Sequence, residues 1–249
     1  MARVVRCAVA FVLLVPALAA CGARAKASPP PDLRSSAART IAAGSARFTL
    51  TVTATVAGVH VLTSENGAVS FRQRRAHVYK LSTGTSVPQE LILVGPYTYT
   101  NANVQAALAN PGIRPWTKLD TRQLSPAQRR REIDDRDHVR ALAYLAGGVV
   151  GARELGPGHL RGTVHPARVL ARVPRPDRAA IGAAIRSDYA VGSFRADFWL
   201  DARDRVRRVR VDYRTAKGGR IVVDGSLSSF GAAVDVKLPP ANEIEDISP

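Results

Sequence analysis

A strict alternation of apolar and polar residues between positions 47 and 56 is the clearest periodic pattern in the chain. Phe48, Leu50 and Val52 fall on one face of this segment, and four threonines fall on the other. Such alternation predicts a half-buried β-strand. Similar patterns predict strands at 59–71, 75–81, 91–94, 97–100, 195–200, 206–214, 221–227 and 234–238. In the segment 59–71 an Asn-Gly pair leaves a hairpin open as an alternative to one long strand.

Helical patterns precede and interrupt these strands. Asp32 is placed to cap a helix that ends at Gly44, where glycine favours termination. Further helices are predicted at 134–147, 166–171 and 177–186. The order is helix, antiparallel meander, helices, antiparallel meander. It predicts an α+β fold in which helices cover one face of an antiparallel sheet.

The first 20 residues have the pattern of a signal peptide. Arg3 and Arg6 precede an apolar run that ends at Leu14, which is the usual order of charged and apolar regions. The run is shorter than the roughly 20 residues of a membrane-spanning helix. The sequence Leu18-Ala19-Ala20-Cys21 resembles the bacterial lipobox, in which the cysteine accepts diacylglycerol before cleavage ahead of it. We therefore expect a lipid anchor on Cys21 and a location on the extracytoplasmic side of the cell membrane.

Cysteine usage fits this interpretation, although a plain secretory peptide with an incidental cysteine is the alternative. Cys7 lies in the leader, so Cys21 would be the one thiol of the processed chain and could form no internal disulfide. Residues 21–31 are small, polar and proline-bearing, as in a tether. Residues 32–249 then suit one domain.

The chain is strongly basic, with a net charge of +16. Without the two arginines of the leader the charge is still +14, from 34 basic and 20 acidic residues. For an exported protein the accessible polyanions are membrane phospholipids and anionic wall polymers, so we expect no nucleic-acid partner. The alternative explanation for the arginine content is the composition of a GC-rich genome.

Motifs for catalysis or metal binding are not found in the sequence. The five histidines stand apart without a zinc-binding spacing, and no Gly-x-Ser-x-Gly elbow occurs. The acidic residues at 134, 135 and 137 suit helix capping better than calcium binding. The run Arg129-Arg130-Arg131 suits a solvated loop or contact with lipid phosphates. We therefore expect a protein that is not an enzyme and has no metal or cofactor.

Several short segments, taken in order, resemble one protein family. They are Phe48-Thr49-Leu50-Thr51-Val52 after the opening helix, Arg74-Arg75-Ala76-His77, Tyr97-Thr98-Tyr99, Pro115-Trp116-Thr117-Lys118-Leu119-Asp120, Arg161-Gly162-Thr163-Val164, Phe198-Trp199-Leu200-Asp201, and Phe230-Gly231 before Val234-Asp235-Val236. This order resembles the actinobacterial lipoproteins of the LppX and LprG type, which share the half-open barrel of the carrier LolA. The basic charge and the insert at 123–136 depart from the better-known members.

The resemblance implies a strongly curved antiparallel sheet whose concave face is covered by helices and lined for acyl chains. The implied function is to bind an acylated lipid or glycolipid for transport or presentation at the envelope. The residues expected to line the cavity are Phe48, Leu50, Val52, Phe71, Trp116, Phe198 and Leu200. The alternative is that these residues form a closed core. The protein would then be a sensory or interaction module that contacts an envelope protein or an anionic wall polymer.

Overall fold

The computed structural model of the protein contains a large open sheet. It describes residues 32–56, 58–84, 88–101, 104–125, 128, 145–173, 175, 178, 192–215 and 218–249. Several sequence predictions therefore lie outside the described residues. They are the signal peptide 1–20, Cys21 and the tether 21–31, Arg129-Arg130-Arg131, the acidic residues at 134, 135 and 137, the helix at 177–186 and most of the helix at 134–147.

Twelve strands form this sheet in the described part of the chain. They are β1 (Ser45–Val56), β2 (Val59–Ser70), β3 (Arg75–Ser82), β4 (Gln89–Val94), β5 (Tyr97–Thr100), β6 (Trp116–Asp120), β7 (Val149–Gly156), β8 (His159–Val164), β9 (Phe194–Leu200), β10 (Val206–Arg214), β11 (Arg220–Ser228) and β12 (Ile244–Asp246). Their order is β12-β6-β5-β4-β3-β2-β1-β11-β10-β9-β8-β7. Neighbouring strands are antiparallel except β12 and β6. Because β12 and β7 stand at opposite ends of the order, the sheet is open. The predicted fold class, a curved antiparallel sheet with helices, is confirmed.

Three short α-helices lie wholly within the described residues: α1 (Leu33–Ala42), α2 (Val104–Ala109) and α3 (Pro166–Arg172). Residues 145–147 are also helical, at the end of the helix predicted at 134–147. The Asp32 carboxylate accepts the backbone N–H groups of Arg34 and Ser35, which caps α1 as predicted. Gly44 follows α1 with φ +84°, a conformation that favours glycine. None of the helices in the described ranges is long and apolar enough to cross a membrane.

One side of the sheet, here called the inner face, carries the main core. Cross-strand register places Phe48 opposite Leu227 and Leu50 opposite Gly225, and it aligns Phe198 with Val209 and Leu160 in the same way. These side chains are buried in one cluster with residues of α1. Burial of this apolar surface is the main stabilising contribution.

Helix α1 is held against the inner face by a buried hydroxyl. Thr40 Oγ1 donates to the carbonyl of Ser36 at 2.8 Å and accepts the backbone N–H of Val206 at 2.8 Å. Both Thr40 and Ser36 are fully buried. The second hydrogen bond joins the helix to the first residue of β10, so α1 has a defined position over the sheet.

The opposite side, the outer face, is covered near β4–β6 by the C-terminal segment, residues 232–248. Ile92, Tyr99 and Trp116 pack there against Val236 in a second, smaller cluster. Strand β12 pairs in parallel with β6, and Lys118 Nζ lies 2.7 Å from Asp246 Oδ2. The C-terminal segment therefore shields apolar side chains that would otherwise face solvent.

The predicted strands agree with the structure in most places and fail in a few. Residues 59–70 form one strand, so the alternative of a hairpin at Asn66-Gly67 is wrong. The strand predicted at 234–238 is wrong, because this segment lies across the outer face without a ladder. Strands β6, β7, β8 and β12 were not predicted. Glycines and register shifts between β7 and β8 break the alternation on which a strand prediction depends.

Candidate functional site

A pocket of about 520 Å³ opens between α1, α3 and the edge strand β7. This volume falls within the range of about 300–1,000 Å³ that is usual for small-molecule sites. The pocket is lined by Asp32, Leu33, Arg34, Ala146, Gly147, Val149, Ala152, Arg168, Ala171 and Arg172. It is thus assembled from three separate stretches of the chain.

Close packing fixes the helix that forms one wall. A Cβ atom at Gly148 would lie 2.4 Å from Val169 Cγ2, so only glycine allows α3 to pack this tightly on the segment before β7. The backbone N–H of His165 donates to the carbonyl of Gly148 at 3.1 Å. Val169 itself is buried in the main core. Arg168 and Arg172, one helical turn apart, are consequently presented on the exposed side of α3 at the pocket.

The pocket combines an apolar floor with cationic side chains. Leu33, Ala146 and Val149 supply apolar surface, and Arg34, Arg168 and Arg172 supply three guanidinium groups. Within the described part of the chain none of these three groups forms an ion pair with a carboxylate. Arg34 is close enough to Asp32 to help lower the pKa of that carboxyl, and a planar guanidinium offers paired hydrogen bonds to an anionic group.

Asp32 is the one carboxylate among the described lining residues, and it is already engaged. Hydrogen bonds from the Ser35 hydroxyl, at 2.8 Å, and from the backbone of Arg34 and Ser35 hold the pKa of Asp32 below its ordinary value. Its negative charge is thus committed to the cap of α1, and the lining retains a positive balance.

The residues predicted to line a cavity lie elsewhere. Five of them are buried in the main core: Phe48, Leu50, Phe71, Phe198 and Leu200. Val52 is half-buried at the border of that core, and Trp116 belongs to the outer cluster on the opposite face. None of the seven lines the pocket at β7. The structure therefore brings six of them together and separates Trp116 from the rest.

The sequence did contain a signal for part of the pocket. Arg168 and Arg172 are four residues apart within the helix predicted at 166–171 and just beyond it, and such a spacing places two side chains on one helix face. Residues 32–34 and 146–152 carried no comparable signal. Their meeting depends on the path of the chain across the sheet.

Charged and aromatic groups also form a ladder on the outer face of β8–β11. The ring of His159 stacks on Trp199 at 4.5 Å, and the Arg208 guanidinium lies 4.6 Å from the centre of the same indole ring system. Burial acts to raise the pKa of Asp197, but hydrogen bonds from Arg161 and His159 outweigh it and keep the pKa below its ordinary value. Because these groups already satisfy one another, the ladder is a structural feature rather than a vacant site.

Comparison with known proteins finds likeness to solved structures alone. No protein-family model matches the chain, and no curated protein matches it. The crystal structure of the Mycobacterium tuberculosis lipoprotein LppX is similar over 84% of this chain and 100% of that chain, with 15% identity and a TM-score of 0.47. A chain from the Pseudomonas aeruginosa MucA/MucB complex is similar over 82% of this chain and 59% of that one, with 16% identity and a TM-score of 0.32. A LolA superfamily protein from Nitrosomonas europaea is similar over 83% and 96%, with 10% identity and a TM-score of 0.33.

These likenesses concern the fold, and the first is to a lipoprotein of the type that the sequence resembles. The chemistry of the site has to come from its own residues. An apolar floor beside three guanidinium groups suits a ligand that is apolar at one end and anionic at the other.

Proposed function

We propose that this protein is a membrane-anchored, non-enzymatic envelope lipoprotein that holds an acylated lipid or glycolipid with an anionic head group. The observation that supports this function best is the pocket between α1, α3 and β7, with its apolar floor and three arginines. Acyl chains would be held by burial, at about 0.8 kcal/mol for each methylene group removed from water. The guanidinium groups would bind the anionic oxygens of the head group.

The proposed anchor is also close to this pocket along the chain. Cys21, the predicted site of the diacylglycerol, lies 11 residues before Asp32, and Asp32 and Leu33 are lining residues of the pocket. Each extended residue spans about 3.3–3.6 Å, so a tether of this length keeps the pocket within roughly 40 Å of the bilayer. A lipid-handling role suits this proximity.

The second candidate is an interaction module that contacts an envelope protein or an anionic wall polymer. The observation in its favour is the closed packing of the predicted cavity residues, since Phe198 is fully buried and Leu50 is 3% exposed. In this case the basic surface of the chain would provide the contacts. The two candidates differ in whether lipid occupies the protein.

Native mass spectrometry with lipid extraction, on the full chain taken from its own envelope, tests the proposal. We expect an anionic acyl lipid at near one copy per chain, and the same spectrum reports any diacylglycerol on Cys21. The double variant Arg168→Ala/Arg172→Ala should lose most of this lipid, because two of the three guanidinium groups are removed. Arg203→Ala, in an exposed turn away from the pocket, is the matched control and should retain it. A chain that stays free of lipid after anionic lipids are offered would contradict the proposal and favour the interaction module.

A further inference from the structure

A continuous row of apolar side chains crosses the inner face, starting at the pocket. Val149 of β7 is opposite Val164 of β8, which is opposite Phe194 of β9. Tyr213 of β10 is opposite Ile221 of β11, which is opposite Ala54 of β1. The two halves join where the rings of Phe194 and Tyr213 lie 5.4 Å apart. Neighbouring strands are about 4.8 Å apart, so the row extends over several strands from the pocket wall at Val149 toward the β1–β2 hairpin.

The row ends at an exposed apolar tip. Ala54 is opposite Val61 in β2, which is 39% exposed. Beside it Val59 is 62% exposed, and Leu62 and Leu81 are each 46% exposed. We call these four residues, Val59, Val61, Leu62 and Leu81, the hairpin end.

The hairpin end has exposed apolar side chains on both faces of the sheet, with Thr53, Thr55 and His60 beside them on the outer face. Val59 and Val61 share the inner face with Ala54 by register, whereas Leu62 is opposite Thr53 and Leu81 is opposite Ser64 on the outer face. An element packed on one face would leave the other exposed. A medium that surrounds the tip, such as the interior of a bilayer, satisfies both faces at once.

Positive charge stands beside this tip. Arg220 is opposite Thr55 in the neighbouring strand, and Arg214 is opposite Arg220 across the β10–β11 ladder. Asp212 is the acidic partner of Arg220 there. Two arginines and one aspartate thus leave a positive balance among these described residues. Exposed apolar residues beside a positive balance suit an anionic lipid surface, which attracts basic residues near it.

We propose that the hairpin end docks on an anionic phospholipid bilayer and that this docking promotes lipid uptake by the pocket. Docking stands independently of lipid binding, whereas the promotion of uptake rests on the proposed function. The start of α1 agrees with this docking. Leu33 and Val149 both line the pocket, and the strand register places the start of β7 and the β1–β2 hairpin at the same end of the sheet. An anchor on Cys21 and the hairpin end would then contact one membrane.

Depth-dependent quenching on vesicles tests the docking. The full chain carrying Cys7→Ser is reconstituted into vesicles of equal parts phosphatidylcholine and phosphatidylglycerol, with a quencher on the acyl chains. A fluorophore is attached at Val59→Cys, or at Leu155→Cys as the matched control. Leu155 is also exposed, at 42%, but lies near the opposite end of β7. The parent chain without an added cysteine measures any labelling of Cys21.

We expect quenching at residue 59 to exceed that at residue 155 several-fold, and to weaken in vesicles of phosphatidylcholine alone. Equal quenching at the two sites would overturn the docking. If equal quenching were accompanied by a dimeric mass, the hairpin end would instead be assigned to a second copy of this chain.

The link between docking and lipid uptake is tested by the double variant Val59→Asp/Leu62→Asp, whose changes fall on exposed side chains of the hairpin end. We expect lipid uptake from vesicles to fall several-fold while uptake from detergent micelles stays unchanged. Uptake from vesicles at the unmodified rate would overturn this link. A chain that never binds lipid, yet is quenched at residue 59, would contradict the proposed function and support the docking.

Discussion

Leu50 is packed in the centre of the main core, where it is opposite Gly225 on one neighbouring strand and Glu65 on the other. It is 3% exposed, and Glu65 is 4% exposed. If an open lipid cavity were present here, Leu50→Glu would leave a folded protein that captures no lipid. In the closed packing that the structure shows, the change places a second carboxylate beside a buried one.

We therefore expect Leu50→Glu to lower the free energy of unfolding by several kcal/mol, because an unpaired charge is costly away from water. Urea denaturation followed by circular dichroism measures this loss. Leu155→Glu, at a 42% exposed position, serves as the control and should change stability by no more than about 0.5 kcal/mol. A stable, folded Leu50→Glu protein would show that water or ligand reaches this face.

Asp120 makes the free energy of unfolding depend on pH in the acid range. Hydrogen bonds from the Arg122 side chain hold the pKa of Asp120 at about 2, below the ordinary 3.8. A carboxyl whose pKa is lowered by folding stabilises the folded state above the unfolded value, and this contribution disappears as the pH falls through the folded value. The free energy of unfolding should therefore decrease between about pH 4 and pH 2.

Urea titrations at a series of pH values test this assignment. Asp120→Asn should flatten the decrease, since the variant has no carboxyl to protonate at this position. Asp246, whose pKa Lys118 also holds at about 2, accounts for part of the slope that remains. An unchanged slope in Asp120→Asn would mean that other carboxyl groups cause the acid sensitivity.

At the scale of elements, the C-terminal segment stabilises the β4–β6 part of the sheet. Val236 is 9% exposed and packs on the outer cluster, whereas Leu238, two residues later, is 53% exposed. Val236→Asp should lower the free energy of unfolding by several kcal/mol, because it buries a charge among Ile92, Tyr99 and Trp116.

Leu238→Asp is the matched control and should be nearly neutral, since surface changes usually stay within about 0.5 kcal/mol. Thermal unfolding of both variants, with binding of a hydrophobic dye to detect exposed apolar surface, measures the difference. Similar stability of the two variants would mean that the segment contributes little to holding this face closed.

Helices and strands were predicted best where the pattern of apolar and polar residues is regular. Strand β1 and the capped helix α1 were predicted closely, because alternation and an N-cap are local signals. Strands β7 and β8 were missed, since Gly151, Gly156 and Gly162 interrupt their apolar pattern and β7 makes irregular pairs. Residues 234–238 alternate like a strand but pack as an irregular cover on the outer face. Alternation of apolar and polar residues indicates which side chains are buried. A strand also needs a neighbouring strand with free backbone groups for its hydrogen bonds.

At the scale of the whole molecule, the pocket exists because three distant stretches meet at the β7 edge. Residues 32–34, 146–152 and 168–172 come together only when α1 crosses the inner face and α3 packs on Gly148. The same sheet order joins the pocket to the hairpin end, because the sequence neighbours β9, β10 and β11 lie between β8 and β1.

The sequence by itself determined the features that depend on local chemistry: the leader pattern with its lipobox, the capped first helix, the alternating strands and the basic charge. It also indicated that Phe48, Leu50 and Phe198 are buried, since burial on one face follows from a period of two. Only the tertiary structure decided what covers each face. Strand order and register placed Trp116 on the outer face, gathered the other six predicted cavity residues in or beside the main core and formed the pocket at β7. The physical reason is that periodicity orients a side chain within its own element, whereas the neighbour it meets depends on contacts between residues far apart in the chain.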